Sequence, residues 1–294
     1  MKAFISWRDI FYRVINTAGT GGVGKVYLVI ATNGPNKGIE FALKVFNPNS
    51  REKEGWKQAF MREVHVLRDC HHPAIIKVID EGVAEENRPF FVMEYLPATL
   101  AQAIRDDSLD IIAKTRIVMQ LLSALNYLAH RDPYLVHRDI KPKNIFLKAD
   151  SCVLGDFGLV FQDIEWNRPG QQPGTIPAMA RKYRTPELVE YHSEGKKKPP
   201  PASDVFQLGL VACELFTGAN PLIDDNPLKP IRLNTTAIDQ FRESTINEAI
   251  QSRLHEMITI ETSKRPPAYK LLPLWLDLYD IAINNKNRKM RHTN

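Results

Sequence analysis

Within the first third of the chain, residues 26–31 alternate with a period of two that is typical of β-strands. Val26, Leu28 and Ile30 form one side of such a pattern, and the segment ends near turn residues at 34–36. Two more short strands are predicted at residues 41–46 and 90–94, next to turn signals. Residues 54–70 have helical spacing instead, with Phe60, Val64 and Leu67 on one face, and predict a helix. A strand-rich lobe of about residues 1–95 follows from these elements.

After Pro97 the apolar spacing changes to that of helices. Helices are predicted at residues 111–128, 205–216, 245–258 and 267–284. The segment 205–216 is apolar nearly all round and is interrupted only by Gln207 and Glu214, so we expect a helix buried in the second lobe. The predicted fold is therefore α+β and bilobal, with a helical lobe at 96–285 and a basic tail at 286–294.

Composition supports an ordinary globular protein. Of the 294 residues, 44% are hydrophobic and 25% are charged, which is typical of such chains. No stretch reaches the ~18 uninterrupted apolar residues of a membrane span, and the N-terminus lacks an apolar signal core. We therefore expect a cytoplasmic protein, and we interpret its widely spaced cysteines Cys70, Cys152 and Cys213 as core residues.

The formal net charge of +5 comes largely from two local runs. One is Lys196–Lys198 before three prolines, and the other is the tail. Both are interpreted as solvated segments rather than as a nucleic-acid or membrane surface, because no basic face with a nucleic-acid-binding motif accompanies them. The segment Lys196–Pro201 is either a tolerated surface loop or a docking site for an acidic partner.

Residues 19–26, GTGGVGKV, fit two phosphate-binding patterns. A P-loop needs Ser or Thr after its lysine and a helix behind it, whereas this chain has Val26 followed by a predicted strand. The alternative is Gly-x-Gly-x-x-Gly-x-Val lying between two strands, which Gly19, Gly21, Gly24 and Val26 satisfy. Alone the loop is weak evidence, since a glycine-rich hairpin turn would look the same.

Three further strings follow in order. Phe41–Lys44 (FALK) is followed by a helix that contains Glu63, and then comes His137–Asn144 (HRDIKPKN). Asp156–Gly158 (DFG) lies twelve residues after Asn144. Together these motifs resemble the eukaryotic-like serine/threonine protein kinase family over residues 11–280, which implies the bilobal protein-kinase fold, the substrate ATP and the cofactor Mg²⁺.

The resemblance implies a role for each residue of the reaction centre. Asp139 would orient the acceptor hydroxyl and accept its proton, while Lys141 would offset the charge of the transferring phosphoryl group. Lys44 would grip the α- and β-phosphates with Glu63 as its partner. The metal ligands would be Asn144 and Asp156.

The resemblance also implies nucleotide contacts. The glycines of the loop would let the backbone approach the phosphates. Val26, Ala42 and Phe146 would enclose the adenine, with Met93 behind it. Backbone groups of Glu94 and Leu96 would hydrogen-bond to the ring.

Downstream residues continue the resemblance. Thr185–Glu187 (TPE) matches the end of the activation region, Asp204 matches the aspartate below the catalytic loop, and Arg265 matches the buried partner of Glu187. Lys141 and the proline after it favour serine/threonine over tyrosine as acceptor. Two alternatives stay open: a pseudokinase-type nucleotide-binding module, and a small-molecule phosphotransferase of the kinase-like group.

The activation region departs from the family pattern. Ala180 stands where a threonine is usual, and Thr175 lies about five residues earlier. We hypothesise that the enzyme phosphorylates Thr175 and is activated by it, because the arginine of HRD would pair with that phosphate. Alternatively Asp163 or Glu165 supplies a permanent charge, or Thr175 replaces the hydroxyl missing at Ala180.

Overall fold

The protein divides into two compact units. The computed structural model describes residues 3–20, 24–46, 53–162, 181–189, 199–229, 231, 233–234, 238 and 244–292. The first unit comprises Met1–Pro97 and Gly155–Leu159, and the second comprises Ala98–Leu154 and Val160–Asn294. The short insertion Gly155–Leu159 brings the DFG motif into the same unit as Lys44 and Glu63.

The first unit is an antiparallel sheet with one helix, α1 (Lys53–Asp69). The strands are β1 (Ala3–Ile5), β2 (Phe11–Thr20), β3 (Gly24–Ala31), β4 (Glu40–Phe46), β5 (Val78–Ala84) and β6 (Arg88–Glu94). Their order in the sheet is β1-β2-β3-β4-β6-β5. The predicted strands at 41–46 and 90–94 and the predicted helix at 54–70 are confirmed.

The core of this unit follows from the alternation in its strands. Val29, Leu43 and Val92 from β3, β4 and β6 are fully buried and pack in one apolar cluster. Tyr12 of β2 joins the cluster, and its hydroxyl donates a hydrogen bond to Asp80 at 2.9 Å. This hydrogen bond satisfies the hydroxyl of the buried tyrosine inside the core.

The second unit is built mainly from helices. These are α2 (Leu100–Arg105), α3 (Ile111–Ala129), α4 (Ala202–Thr217), α5 (Ser244–Met257) and α6 (Ala268–His292). Short antiparallel pairs join β7 (Leu135–Val136) to β10 (Phe161–Gln162) and β8 (Ile145–Lys148) to β9 (Ser151–Leu154). The bilobal kinase-type α+β class, with a sheet-rich first part and a helical second part, is confirmed.

Helix α4 is the central helix that the sequence predicted. Nearly every residue from Ser203 to Phe216 is buried, including Gln207, and α4 packs against α3 and α5. Gly209 lies so close to α5 that a Cβ there would come within 2.8 Å of a methyl carbon of Ile258 and 2.9 Å of the Met257 Cβ. A side chain at this position would therefore have to push the two helices apart.

Helix α6 ends later than predicted. It runs to His292 instead of 284, and Lys286 lies with its Nζ 3.3 Å from Asp110 Oδ2 at the start of α3.

The three cysteines, Cys70, Cys152 and Cys213, are all buried and form no disulfide, in agreement with their prediction as core residues. Within the described part of the chain, no helix combines the length and the apolar character that crossing a membrane requires.

Candidate functional site

Lys44 of β4 and Glu63 of α1 form a buried ion pair. The Lys44 ammonium lies 2.7 and 2.8 Å from the two carboxylate oxygens of Glu63. Helical spacing explains why Glu63 reaches it, because Phe60, Val64 and Leu67 occupy the same buried face of α1. This is the pairing that the sequence predicted.

Asp156 joins this pair from the DFG segment. Its Oδ1 lies 3.0 Å from Lys44 Nζ, so the lysine contacts two carboxylates at once. The side chain of Asp156 is 46% exposed, whereas that of Glu63 is buried. The backbone of Asp156 has φ 60°, a conformation that most residues avoid and that is frequent at functional sites. Lys44, Glu63 and Asp156 all belong to the first unit.

The charges in this cluster shift one another. Burial disfavours the charge on Lys44, but the carboxylates of Asp156 and Glu63 outweigh it and raise the pKa of the lysine above its usual value. Burial raises the pKa of Glu63 as well, although the ammonium of Lys44 opposes that shift. Lys44 therefore keeps its positive charge over the whole neutral range.

The glycine-rich loop lies between β2 and β3, so a strand and not a helix follows it. That arrangement excludes a P-loop. A Cβ at Gly24 would lie 2.8 Å from the carbonyl oxygen of Val45, so close approach of strand β4 already requires glycine there. At Gly19 a Cβ would meet no atom within 4 Å. Gly21 lies outside the described residues.

The proposed adenine residues are found on several elements. Val26 is directly opposite Lys44 in the β3–β4 pairing, and Ala42 is opposite Met93 in the β4–β6 pairing. Glu94 ends β6, and Leu96 follows it near the end of the first unit. Phe146 belongs to the second unit, on β8, where it bridges to Thr99.

Asp139 is held by two side chains of its own loop. Lys141 Nζ lies 2.7 Å from Asp139 Oδ2, and the Asn144 side-chain amide donates to the carbonyl and to Oδ2 of Asp139 at 2.9 Å each. Asp139 is only 6% exposed, so these contacts fix a nearly buried carboxylate. Asp139, Lys141 and Asn144 are thus brought together, within the second unit.

Asp204 supports the same loop from α4. Its carboxylate accepts hydrogen bonds from the backbone N–H groups of His137 at 2.7 Å and Arg138 at 2.9 Å. Burial raises the pKa of Asp204 to about 7, although the two N–H groups favour the ionised form. Arg138 has φ 66°, so Asp204 stabilises an unfavourable backbone conformation beside Asp139.

Glu187 and Arg265 form a second buried ion pair. Arg265 is 3% exposed, and its guanidinium donates to both carboxylate oxygens of Glu187, to the Ala202 carbonyl and to the Thr259 carbonyl. This pair confirms the contact that the sequence predicted. It fixes residues 185–189 against the start of α4 and the loop before α6.

Sequence reasoning missed the role of Gln207. Its side chain binds the backbone on both sides of Asp139, at Arg138 and Ile140. The available signal was its position, a polar residue in an apolar helix three residues after Asp204.

The predictions for Thr175, Asp163, Glu165, Ala180 and Lys196–Lys198 fall outside the described residues.

Comparison with known proteins agrees with this geometry. A family profile described as protein kinase domain matches residues 12–274. Serine/threonine-protein kinase pak-1 of Caenorhabditis elegans is 30% identical over 230 residues, 78% of this chain and 37% of that protein. Serine/threonine-protein kinase shk2 of Schizosaccharomyces pombe is 26% identical over 270 residues, 89% of this chain and 43% of that protein. Serine/threonine-protein kinase SSN3 of Gibberella moniliformis is 30% identical over 292 residues, 92% of this chain and 59% of that protein.

Proposed function

Because the chain belongs to the protein kinase family, we propose that it transfers the γ-phosphate of ATP to serine or threonine hydroxyls of protein substrates. The observation that carries this proposal is the fixed carboxylate of Asp139, bound by Lys141 and Asn144. Three relatives that are 26–30% identical to this chain are named serine/threonine-protein kinases. The chain spans less than two thirds of their length, so the proposal concerns the catalytic part that they have in common.

Asp139 acts as the base of this reaction. Its carboxylate accepts the proton of the substrate hydroxyl while the oxygen attacks the γ-phosphorus and the bond to the β-phosphate oxygen breaks. Lys141, already 2.7 Å from Asp139, places a positive charge where the transferring group becomes more negative. ADP leaves and the phosphorylated side chain remains.

Lys44 is the proposed contact of the α- and β-phosphates, and Glu63 is its partner. A buried lysine that stays protonated is suited to the α- and β-phosphates, and Glu63 keeps it in place. Gly19, Gly21 and Gly24 let the backbone of their loop approach the phosphates closely.

Two oxygen donors suit a magnesium ion. The carboxylate of Asp156 and the side-chain amide oxygen of Asn144 are ligands of the kind that Mg²⁺ prefers. The Asn144 amide nitrogen is taken up by Asp139, which orients the amide so that its oxygen is available. When bound, magnesium neutralises phosphate charge that the lysines alone do not offset.

The proposed apolar contacts of the adenine are Val26, Ala42 and Met93 of the first unit and Phe146 of the second. Backbone groups of Glu94 and Leu96 supply its hydrogen bonds. A cytoplasmic location accords with this use of ATP and stays a prediction.

The two alternatives are less well supported. A pseudokinase is expected to have lost at least one of Lys44, Asp139, Asn144 or Asp156, and this chain retains all four. Small-molecule phosphotransferases of the kinase-like group generally lack the Pro-Glu motif with a distant arginine, whereas here Glu187 and Arg265 form a buried pair.

Phosphoamino-acid analysis tests the proposal. Purified protein is incubated with radiolabelled Mg-ATP and a mixture of unfolded proteins, and in parallel with amino-sugar acceptors. We expect label on serine and threonine of the proteins, and at least ~100-fold less from an Asp139→Asn variant prepared in the same way. Label confined to amino sugars or to tyrosine would contradict the proposal, as would nucleotide binding without any transfer.

A further inference from the structure

Two polar residues interrupt the apolar sequence of α4, and both contact residue Tyr183. Gln207 and Glu214 lie three and ten positions after Asp204, which places all three along one stripe of the helix. Gln207 is 1% exposed. A buried amide costs free energy unless its hydrogen-bonding groups are satisfied, so its contacts indicate what it is retained for.

The amide of Gln207 makes three hydrogen bonds to backbone. Its Oε1 accepts from the Ile140 N–H at 2.9 Å, and its Nε2 donates to the Arg138 carbonyl at 3.0 Å. Nε2 also donates to the Tyr183 carbonyl at 2.8 Å. The first two bonds flank Asp139 in sequence, one on each side.

Asp204 alone does not fix the backbone around Asp139. Its carboxylate binds the N–H groups of His137 and Arg138, both of which precede the aspartate. Gln207 adds the carbonyl of Arg138 and the N–H of Ile140. The peptide groups before and after Asp139 are therefore both bound to α4 only when Gln207 is present.

The third bond links this loop to the segment before Thr185. That segment is independently held, because the Tyr183 hydroxyl donates to Glu214 and the Asn220 amide donates to the Lys182 carbonyl at 2.8 Å. Gln207 thus joins an anchored stretch of the activation region to the backbone of the catalytic loop. Its partners on both sides are backbone groups, so the link does not depend on their side chains.

We propose that Gln207 is a positioning residue, which holds Asp139 at the place required for proton acceptance and couples it to the Tyr183 segment. The inference rests on the proposed function of Asp139 as the base. Gln207 touches neither substrate nor nucleotide in this scheme and acts only through the backbone of the loop. Since misplacement of a reacting group by about 1 Å can cost ~100-fold in rate, loss of these bonds should lower turnover strongly.

Gln207→Met tests this, because methionine has a similar length but forms none of the three bonds. We expect kcat to fall by ~10- to 100-fold while the KM for ATP changes by less than about threefold. Gln207→Glu is the second variant: it keeps the shape and the acceptor for Ile140, but loses the donor to both carbonyls. Val211→Ala, one turn further along α4, is the control for a loss of packing, and its kcat should stay within about twofold of the wild type.

Gln207→Met in an Asp139→Asn background separates a positioning role from a general loss of stability. If Gln207 acts through Asp139, Gln207→Met should reduce the residual rate of Asp139→Asn by less than about threefold. An equal loss in both backgrounds would overturn the proposal, as would unchanged kcat in Gln207→Met and Gln207→Glu. It would also be overturned if neither variant folds while Val211→Ala does. Wild-type turnover in Asp139→Asn alone would instead refute the assignment of the base, a separate result.

Discussion

Lys44 holds the charged side chains of the first unit together, because its ammonium lies within 3.0 Å of the carboxylates of both Glu63 and Asp156. Glu63 is buried and has a raised pKa, so it is stable as an anion only while the ammonium lies beside it. Asp156 is half exposed and can exchange its contact with Lys44 for a ligand. The lysine therefore has one permanent partner and one that a nucleotide can replace.

Lys44→Met and Glu63→Gln should each lower phosphoryl transfer by ~100-fold, the scale for losing one fixed electrostatic contact. Both changes break the same ion pair, so the double variant should lose little more than the stronger single variant. Steady-state rates of the four proteins test this, with Lys37→Met in an exposed turn as the control. Losses that multiply fully would show that Glu63 does not act through Lys44.

Asp204 makes stability depend on pH in an unusual direction. Burial raises its pKa to about 7, so the folded protein retains a proton that the unfolded chain releases near its ordinary value of 3.8. Between those two values the folded state binds more protons than the unfolded state. The contribution is therefore complete below about pH 4 and is lost as the pH rises towards 7.

Urea unfolding of the wild type and of Asp204→Asn at several pH values tests this sign. The stability of the wild type relative to the variant should fall between pH 4 and pH 7, by at most ~1.4 kcal/mol per pH unit. Other titrating groups are common to both proteins and cancel in the difference. A difference that is constant or that rises with pH would contradict the burial argument.

The sequence identified most of these residues because their chemistry fixes their order and spacing. The motifs identified Lys44, Glu63, Asp139, Lys141 and Asn144. In the structure Lys44 contacts Glu63, and Asp139 contacts both Lys141 and Asn144. Gln207 was not recognised, since its partners are backbone groups 24, 67 and 69 residues away in the chain. Only the fold shows which peptide groups a buried amide meets.

Among the elements, α4 determines the position of the catalytic loop. Its stripe of Asp204, Gln207 and Glu214 binds that loop and the Tyr183 segment, while its other faces are packed by apolar residues. Gly209 lies on the face that meets α5, where an added Cβ would overlap Met257 and Ile258. The helix therefore combines a polar contact surface with a tightly packed one.

Gly209→Ala should destabilise the protein by ~1–3 kcal/mol, because the added methyl group overlaps Ile258 and Met257. Helix propensity alone predicts the opposite sign, a gain of ~1 kcal/mol. Thermal or urea unfolding distinguishes the two. In a variant that also carries Ile258→Ala, the additional cost of Gly209→Ala should be smaller, and an unchanged cost would refute the packing explanation.

Element boundaries were harder to predict than element types. Periodicity located α3 and α4 to within a few residues, since both have continuous apolar faces. The end of α6 was predicted eight residues too early, because the sequence after Ile283 is almost entirely polar and has no apolar periodicity. That continuation includes the contact of Lys286 with Asp110, which joins residues far apart in sequence.

At the scale of the whole molecule, the residues proposed for catalysis are divided between the two units. Lys44, Glu63 and Asp156 belong to the first, and Asp139, Lys141 and Asn144 belong to the second. The residues of each set contact one another, so the contacts that the sequence motifs predict can be compared with the structure in each unit by itself. Phosphorylation of Thr175 and docking at Lys196–Pro201 remain predictions, because Thr175 and Lys196–Lys198 lie outside the described part of the chain.

The division predicts that nucleotide binding and phosphoryl transfer can be lost independently, and Asp139→Asn tests this most directly. Calorimetric titration with Mg-ATP should give an affinity close to that of the wild type, whereas single-turnover transfer to a protein acceptor should be at least ~100-fold slower. Asp156→Asn, by contrast, should weaken magnesium-dependent binding as well. Near wild-type transfer by Asp139→Asn would contradict the assignment of this aspartate as the base.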